Sequence, residues 1–250
     1  MPFTFAHPAA VLPFSRKSKY LHFTALVLGS MAPDFEYLLR GQPAGMTGHT
    51  FAGFFYFNLP LVALVYLIYY FFIHQTLMDH LPVFMQDRSE RTSNFGLPVK
   101  IIIFCYSALL GMLTHVVWDA FTHQHGFVVD RIPLLSVDLH VLGYEIPIYK
   151  ILQHGGTLAG LSLILIYILY RARKYNSLAN RSTPSAQKSL YWLCIALLSI
   201  VFFIIWFIAD PVAIHSIGVH VIRVIDSGLL SLLLVSIFFK FKKNKVRLQR

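Results

Sequence analysis

The fold class is decided by the stretch L-Y-W-L-C-I-A-L-L-S-I-V-F-F-I-I-W-F-I-A, residues 190–209. It carries no charged residue and is as long as an α-helix must be to cross the hydrocarbon layer of a bilayer, about 20 residues. Three further segments are equally long and predominantly apolar, namely Phe51–Ile73, Val99–Trp118 and Ile217–Phe239. A fifth, Thr157–Tyr170, is shorter and spans the layer only together with its flanking residues. The sequence therefore predicts an all-α, polytopic membrane bundle of about five transmembrane helices.

The composition supports this class of protein. Of the 250 residues, 56% are hydrophobic and only 13% are charged. A soluble domain carries about 25% charged residues, so this composition excludes a water-soluble globule and a disordered chain. We expect residues 1–250 to form one integral membrane domain. It comprises an N-terminal segment (1–50), the transmembrane bundle (51–239) and a basic tail (240–250).

The distribution of the 21 Lys and Arg residues predicts the orientation of the chain. Segments 75–100, 171–189 and 240–250 lie on one side of the predicted bundle and hold 14 of these cations, against 6 on the other side. Cytoplasmic loops collect Lys and Arg, so we expect the tail in the cytoplasm and residues 1–50 outside the inner membrane. The cations form no basic stripe interleaved with stacking aromatic residues, so the bilayer is the expected partner and nucleic acid is not.

The apolar stretch Tyr20–Met31 differs from the five predicted spans. It has 12 residues and carries His22, whereas a spanning helix needs about 20 residues. We therefore expect a short re-entrant or interfacial helix here, which leaves the whole N-terminal segment at one membrane surface.

Polar residues gather at that surface. His49 stands at the start of the first span, and His115 and Asp119 stand at the end of the second. Because two consecutive spans are antiparallel, those two ends meet at the same surface. If Tyr20–Met31 does not cross, the same surface also holds His7, Asp34, Glu36 and His154.

The segment H-V-V-W-D-A-F-T-H, residues 115–123, has the spacing of a metal site. In a helix, His115, Asp119 and His123 lie one turn apart and within about 80° of arc. Imidazole and carboxylate groups so placed can share one ion. Zinc takes three such ligands plus water, and the carboxylates also suit manganese or iron. The alternative is that these are three separate polar residues at the membrane interface.

A second polar group lies within the last predicted span. His220, Arg223 and Asp226 follow one another at intervals of three residues and so lie near one helix face. Charged residues at membrane depth point into a bundle rather than into lipid. An Arg223–Asp226 pair that joins helices and a role in an active site are both compatible with this pattern.

Five motifs together resemble one bacterial family. They are M-P-F-T-F-A-H-P-A-A-V-L-P at residues 1–13, G-S-M-A-P-D-F-E-Y at 29–37, G-H-T at 48–50, H-V-V-W-D-A-F-T-H-Q-H-G at 115–126 and L-Q-H-G-G-T at 152–157. On these motifs the chain resembles the domain-of-unknown-function 4184 family over essentially residues 1–170. More distantly, it is similar to predicted membrane-bound metal-dependent hydrolases, which in turn resemble zinc-dependent phospholipase C-like proteins.

The resemblance implies a ligand set and two further roles. The implied metal ligands are His7, Asp34, His49, His115 and Asp119, with His123 as a further candidate. Glu36 and His154 are the implied candidates for general base or acid. The implied cofactor is a divalent metal, zinc in the first place, with manganese or iron as alternatives.

We therefore expect a membrane-embedded, metal-dependent hydrolase. Ligands at the membrane surface suggest phosphoester bonds in a lipid-borne substrate, such as a phospholipid or an isoprenoid-linked phosphate. Two kinds of non-enzymatic protein stay open as alternatives, a membrane transporter and a membrane protein that binds a partner through its polar His/Asp face. A di-iron oxidase would need several closely spaced histidine pairs, and only His123 and His125 approach that spacing. The sequence leaves the oligomeric state open.

Overall fold

The computed structural model contains five helices that are long and apolar enough to cross a membrane. It describes residues 3–14, 16–86, 94–141, 143–175 and 183–248. The cation-rich segments that predict the orientation therefore lie partly outside the described residues, at 87–93, 176–182 and 249–250.

The helices and strands follow one another in a simple order. They are α1 (Phe23–Gly29), α2 (Phe35–Arg40), α3 (Phe51–His80), α4 (Leu97–Thr122), β1 (Asp138–Val141), β2 (Tyr144–Pro147), α5 (Ile148–Lys174), α6 (Ser185–Ala209) and α7 (Ile217–Leu248). Short 3-10 helices occupy Thr4–Val11, Ala32–Asp34, Val83–Met85 and Pro133–Ser136. Within α3, the turns at Phe54–Asn58 and Tyr69–Ile73 are π-helical.

The five long helices, α3 to α7, confirm the predicted all-α membrane bundle. The weakest of the predicted spans, Thr157–Tyr170, is the middle of α5, whose 27 residues make it about 40 Å long. The hydrocarbon layer is about 30 Å thick, so α5 is about 10 Å longer than a helix needs to cross it. The hydropathy of the sequence predicted only the apolar middle of this helix and not its two ends.

The short N-terminal helix predicted near Tyr20–Met31 is α1. Its seven residues rise about 10 Å, which is too short to cross a bilayer. The ring of His22 caps this helix, because its Nδ1 accepts a hydrogen bond from the backbone N–H of Ala25 at 3.1 Å. The backbone N–H of His22 in turn donates to Ser107 Oγ at 2.9 Å, which fastens the start of α1 to α4.

Backbone contact between α1 and α4 depends on two glycines. A Cβ atom on Gly29 would lie 2.2 Å from the carbonyl oxygen of Ala108, and one on Gly111 would lie 2.3 Å from the carbonyl oxygen of Leu26. Real Cβ atoms do not approach an oxygen so closely. The absence of side chains at these two positions therefore lets α1 lie directly against α4.

The chain divides into two compact units. The first comprises Met1–Phe35, Met46–Ala63 and Glu90–Ile168, and the second comprises Glu36–Gly45, Leu64–Ser89 and Leu169–Arg250. In the second unit, Tyr191, Val235 and Phe239 form a buried apolar core, in which the Tyr191 hydroxyl shares a hydrogen bond with Ser236 Oγ at 2.8 Å. The prediction of one membrane domain over residues 1–250 stays a prediction.

The first unit also contains a β-hairpin that the sequence analysis did not predict. Strands β1 and β2 pair antiparallel, with Leu139 opposite Ile146 and Val141 opposite Tyr144. Gly143 lies in the connection between them with φ of 85°, a conformation that favours glycine. The hairpin is too short to change the fold class.

Arg223 has a different partner from the one proposed from spacing. Its guanidinium contacts the carboxylate of Asp210 and donates to the carbonyl oxygen of the same residue. Asp210 follows the last turn of α6, so this contact joins the ends of α6 and α7. The Arg223–Asp226 pair, one of the two interpretations compatible with the spacing, is therefore not formed: the long Arg223 side chain reaches the end of the neighbouring helix instead of the carboxylate three residues along its own.

Helix α7 continues into the segment that the sequence analysis treated as a basic tail. It ends at Leu248, so helical structure covers most of residues 240–250. Within the second unit, Lys243 Nζ on α7 lies 2.8 Å from Asp79 Oδ2 on α3. The cytoplasmic placement of this segment stays a prediction.

Candidate metal centre

The first unit brings together five of the residues that the sequence analysis singled out. His7 lies on the N-terminal 3-10 helix, Asp34 ends a second 3-10 helix, and His49 lies just before α3. His115 and Asp119 lie one turn apart near the end of α4. Five residues from four separate stretches of chain thus converge on one point.

Local contacts hold the N-terminal segment in place. The backbone N–H of Phe3 donates to Thr157 Oγ1 at 3.2 Å, and the Thr157 hydroxyl donates to the carbonyl oxygen of Gln153 at 2.9 Å. Helix α5 therefore anchors the 3-10 helix that carries His7. This gives part of the L-Q-H-G-G-T motif a structural role.

The turn that carries His49 is held equally firmly. Thr50 caps α3, since its Oγ1 accepts from the N–H of Gly53 at 2.9 Å and donates to the carbonyl of Thr47 at 2.8 Å. The buried Asn58, in the π-helical turn of α3, donates from Nδ2 to the carbonyl oxygen of Gly48 at 2.6 Å. The residues on either side of His49 are thus fixed by the start of α3.

Four side chains alternate around the centre as imidazole and carboxylate. His115 Nε2 lies 3.6 Å from Asp34 Oδ1 and 3.1 Å from Asp119 Oδ2. His49 Nε2 lies 3.6 Å from the same oxygen of Asp34 and 3.7 Å from the same oxygen of Asp119. Ligands bound to one ion at about 2.0–2.2 Å lie roughly 3–3.6 Å from one another. The spacing is therefore close to that of four ligands of a single ion.

His7 completes the cluster from its other side. Its ring stacks on the ring of His115, with centroids 3.8 Å apart and planes at 20°. His7 Nε2 lies 3.6 Å from Asp119 Oδ1, so the two oxygens of Asp119 face different histidines. Two groups of three have ligand atoms that all lie within 4.8 Å of one another: His7, Asp34 and His115, and His49, His115 and Asp119. His115 belongs to both groups, and its Nε2 has one lone pair, so the two groups are overlapping ligand sets within one cluster.

Several buried atoms of this cluster make no hydrogen bond to any described residue. They are Nδ1 and Nε2 of His7, Oδ1 of Asp34, Nε2 of His115 and Oδ1 of Asp119. A buried polar atom without a partner costs about 1–3 kcal/mol, and proteins rarely tolerate several side by side. Each of these four side chains can donate a lone pair to a cation, His7 through one ring nitrogen only, since the other nitrogen of a neutral imidazole carries a proton. A divalent ion bound between them would remove this cost.

Two contacts orient the ligands from behind. His115 Nδ1 lies 2.8 Å from the carbonyl oxygen of Ser30, so Nδ1–H donates and Nε2 keeps its lone pair for the centre. The Thr4 hydroxyl donates to Asp34 Oδ2 at 2.6 Å and leaves Oδ1 facing the histidines. Histidines and carboxylates that bind metals in proteins are commonly held in this way.

The protonation of the two N-terminal ligands suits a metal. Burial lowers the pKa of His7 from 6.5 to about 4, and the nearby His115 adds to this effect. Burial opposes ionisation of Asp34, but the His115 imidazole and the Thr4 hydroxyl outweigh it and hold the pKa of Asp34 below its ordinary value. At neutral pH, His7 is therefore neutral and Asp34 is ionised, which are the forms that bind metal ions.

The three remaining candidates are placed differently. His123 Nδ1 lies 3.5 Å from Asp119 Oδ1 and 3.2 Å from the backbone carbonyl of Asp119, at the edge of the cluster. His154 is exposed on α5 and belongs to neither group of converging ligand atoms. Glu36 is buried in the second unit, where its Oε1 lies 2.9 Å from Nη2 of Arg40. The roles of these three residues stay predictions.

The sequence analysis missed the residues that support the ligands. Ser30 contributes a backbone carbonyl, which no side-chain pattern can reveal. Trp118 lies edge-on to His7, with ring centroids 5.6 Å apart. It follows His115 by three residues, so helical spacing could have placed it on the same face of α4 as His115. Thr4, Asn58 and Thr157 stand inside or near the motifs, but they act through folding contacts that spacing does not show.

Fold and site together define a class: helical membrane proteins with a buried His/Asp cluster whose spacing suits a metal ion. Within that class, the chain belongs to the family described as Domain of unknown function (DUF4184), whose match covers residues 1–237. The match extends through α6 and most of α7, beyond the residues 1–170 that carry the motifs. No curated protein and no solved structure matches the chain.

Proposed function

We propose that this protein is a metal-dependent hydrolase of phosphoester bonds in lipid-borne substrates. The observation that carries the proposal is the alternating arrangement of His115, Asp34, His49 and Asp119, with distances of 3.1–3.7 Å between neighbouring ligand atoms. A merely structural polar cluster would pair these atoms by hydrogen bonds. Two of them, Asp34 Oδ1 and His115 Nε2, are instead buried without a hydrogen-bond partner among the described residues.

The donor set favours zinc, with manganese and iron as alternatives. Imidazole nitrogens and carboxylate oxygens are common ligands of zinc, and the share of carboxylates also suits manganese or iron. When bound, such an ion supplies a Lewis acid that polarises a phosphoryl oxygen and lowers the pKa of water to about 7. The residues His115, His49, Asp34 and Asp119 would hold it, and His7 with the second oxygen of Asp119 offers room for another.

Groups of this chain have to hold the ligands still and move protons. The Ser30 carbonyl and the Thr4 hydroxyl perform the first task, because they fix the ring of His115 and the carboxylate of Asp34. For the second task we propose His154, one of the two residues that the family resemblance suggests; the other, Glu36, lies in the second unit, where it contacts Arg40. The exposed ring of His154 is open to proton exchange with solvent.

The position of the cluster supports a substrate with a lipid anchor. Asp119 lies one turn before the end of α4, and His49 lies two residues before α3 begins. Both α3 and α4 are long and apolar enough to cross a membrane. Ligands at the ends of such helices lie at the depth of lipid headgroups, where the phosphate of a phospholipid or of an isoprenoid-linked phosphate is found. From the distribution of cations we propose the inner membrane, with the cluster facing outside.

The first experiment combines metal analysis with an activity assay. Elemental analysis of detergent-purified protein should find bound zinc, manganese or iron in the wild type. The His115→Ala/Asp119→Ala double variant should have lost it. A His125→Ala variant is the matched control, because this exposed histidine lies on the same segment outside both ligand groups.

The metal-loaded wild type should then hydrolyse a phospholipid or an isoprenoid-linked phosphate in mixed micelles, and the double variant should not. Bound metal without hydrolysis of either substrate would overturn the hydrolase proposal and leave a metal-binding membrane protein. Absence of metal after reloading would overturn the metal centre itself. Transport and partner-binding assays would then take precedence.

A further inference from the structure

The β-hairpin between α4 and α5 has one apolar and one polar face. Residues that face each other across an antiparallel pair lie on the same side of the sheet. Leu139 therefore shares a face with Ile146, and Val141 shares it with Tyr144. On the opposite face, His140 pairs with Glu145, and Asp138 lies on the same side, opposite Pro147.

Among the described residues, three of the four side chains on the apolar face are exposed, and the fourth, Ile146, is half-buried. Leu139 is 43% exposed, Val141 38% and Tyr144 72%. The loop leading into the hairpin also carries exposed apolar side chains, since Phe127 and Leu134 are each 64% exposed. Apolar surface left exposed outside the membrane-spanning helices marks a site of interaction. An isolated two-stranded hairpin is also marginally stable in water, so a cover for its apolar face would stabilise it.

The attachment of the hairpin fixes its depth. Strand β2 ends at Pro147 and helix α5 begins at Ile148, with no linker between them. The backbone N–H of Ile148 donates to the carbonyl oxygen of Val137 at 3.1 Å, which ties the start of the helix to the hairpin. Helix α5 is about 10 Å longer than the hydrocarbon layer, and Lys150, Gln153 and His154 make its first two turns more polar than its middle, so we infer that these turns lie at headgroup level. The hairpin therefore leaves the helix within the interfacial region of the bilayer.

We propose that the apolar face of this hairpin inserts into the headgroup–acyl boundary of the membrane that α4 and α5 cross. Leu139, Val141 and Tyr144 face the lipid, while His140 and Glu145 face water. Tyrosine is a favoured residue at this depth because its ring is apolar and its hydroxyl is polar. The proposal is independent of any catalytic activity, since it rests on the shape and attachment of the hairpin alone.

Two adjacent positions of β1 give a matched test. Nitroxide labels are placed on Leu139→Cys or His140→Cys in a Cys105→Ala/Cys194→Ala background, in vesicles of phosphatidylcholine and phosphatidylglycerol. At position 139, collisions with oxygen, which concentrates in lipid, should exceed collisions with a water-soluble nickel chelate several-fold. Position 140 should show the reverse. Equal access of the nickel chelate to both positions would overturn the proposal.

A second measurement covers the case in which a label disturbs the hairpin. The Tyr144→Trp variant should be quenched by brominated phosphatidylcholine beyond the quenching of the native tryptophans. The His140→Trp variant should show no such increase. Failure of brominated lipid to quench the tryptophan introduced by Tyr144→Trp would place this face in water. A third result is magnetic coupling between labels on different copies, with neither oxygen nor the nickel chelate reaching position 139. It would mean that a second copy of the chain covers this face. Either this result or the absence of quenching overturns insertion.

Discussion

Nδ1 of His115 lies 2.8 Å from the carbonyl oxygen of Ser30, a residue 85 positions earlier in the chain. Ser30 directly follows α1, and the last carbonyls of a helix have no partner within it. One of these carbonyls therefore fixes the tautomer and the orientation of a buried histidine. Nε2, which lies 3.1 Å from Asp119 Oδ2, then keeps its lone pair for a cation at the centre. Ligand geometry in this protein thus depends on how the end of α1 packs against α4.

The Thr4→Val variant tests the contact behind Asp34. Valine has nearly the same shape but cannot donate the hydrogen bond that Thr4 gives to Asp34 Oδ2. Removing such a partner of a ligand typically weakens metal binding about 10–100-fold. We expect a loss of this size in a chelator competition assay. Thr114→Val is the control, because the Thr114 hydroxyl donates only to the carbonyl of Gly111 on its own helix. Equal affinity in wild type and Thr4→Val would contradict the orienting role.

The variants His49→Ala and His123→Ala separate a ligand from its neighbour. His49 Nε2 lies near both Asp34 Oδ1 and Asp119 Oδ2. His123 Nδ1 lies near the backbone carbonyl and Oδ1 of Asp119. We expect His49→Ala to abolish stoichiometric metal in elemental analysis. His123→Ala should keep the stoichiometry and lower the affinity by about 10-fold, the lower end of the effect of losing a group behind a ligand. The opposite ranking would make His123 the ligand and His49 the supporting residue.

The sequence predicted the spans because apolar length is a local property. It also placed the five clustered residues at one membrane surface, since antiparallel helices return chain ends to the same side. Asp226, suggested by spacing as the partner of Arg223, is not its partner. The Arg223 side chain reaches Asp210 at the end of α6, and spacing along α7 cannot show such a contact. Strands β1 and β2 were missed because four residues each are too few for an alternating pattern to stand out.

The supporting contacts could not be predicted for a different reason. The carbonyl of Ser30 and the contact of Gly29 with Ala108 are properties of the backbone, which every residue type shares. Such contacts exist only once two helices are packed. A sequence gives the chemistry of the ligands, but the distances between them follow from tertiary packing.

The Gly111→Ala variant tests whether helix packing sets the site. A Cβ atom at this position would lie 2.3 Å from the carbonyl oxygen of Leu26 and 2.7 Å from the backbone nitrogen of Ser30. Since backbone cannot give way easily, we expect a loss of about 1–3 kcal/mol in the free energy of unfolding. Displacement of Ser30 should also weaken metal binding. Thermal unfolding and chelator competition in detergent measure both effects.

Gly155→Ala is the matched control for this glycine. Position 155 is also helical, and a Cβ atom there meets nothing within 4 Å among the described residues. Alanine should leave metal affinity unchanged and stabilise the helix by roughly 0.5–1 kcal/mol. If both variants behaved alike, close packing of α1 against α4 would not be what positions His115.

The buried His7 predicts how the stability of the metal-free protein depends on pH. Burial lowers the pKa of its imidazole from 6.5 to about 4 in the folded chain. Between these values the unfolded chain binds a proton that the folded chain does not, so stability falls as the pH drops through this window. The full effect is about 3 kcal/mol. The pKa of Asp34 lies below its ordinary 3.8, so the stability that its ionised carboxylate contributes is lost only below that pH.

Thermal unfolding of metal-stripped protein from pH 7 to about 4 checks this expectation. The wild type should lose stability progressively, whereas His7→Gln should lose markedly less, because glutamine does not titrate. His154→Gln should follow the wild type, since this histidine is exposed and outside the cluster. A His7→Gln curve parallel to the wild type would show that His7 is not held neutral by burial. That result would also contradict the assignment of His7 as a neutral metal ligand beside Asp119.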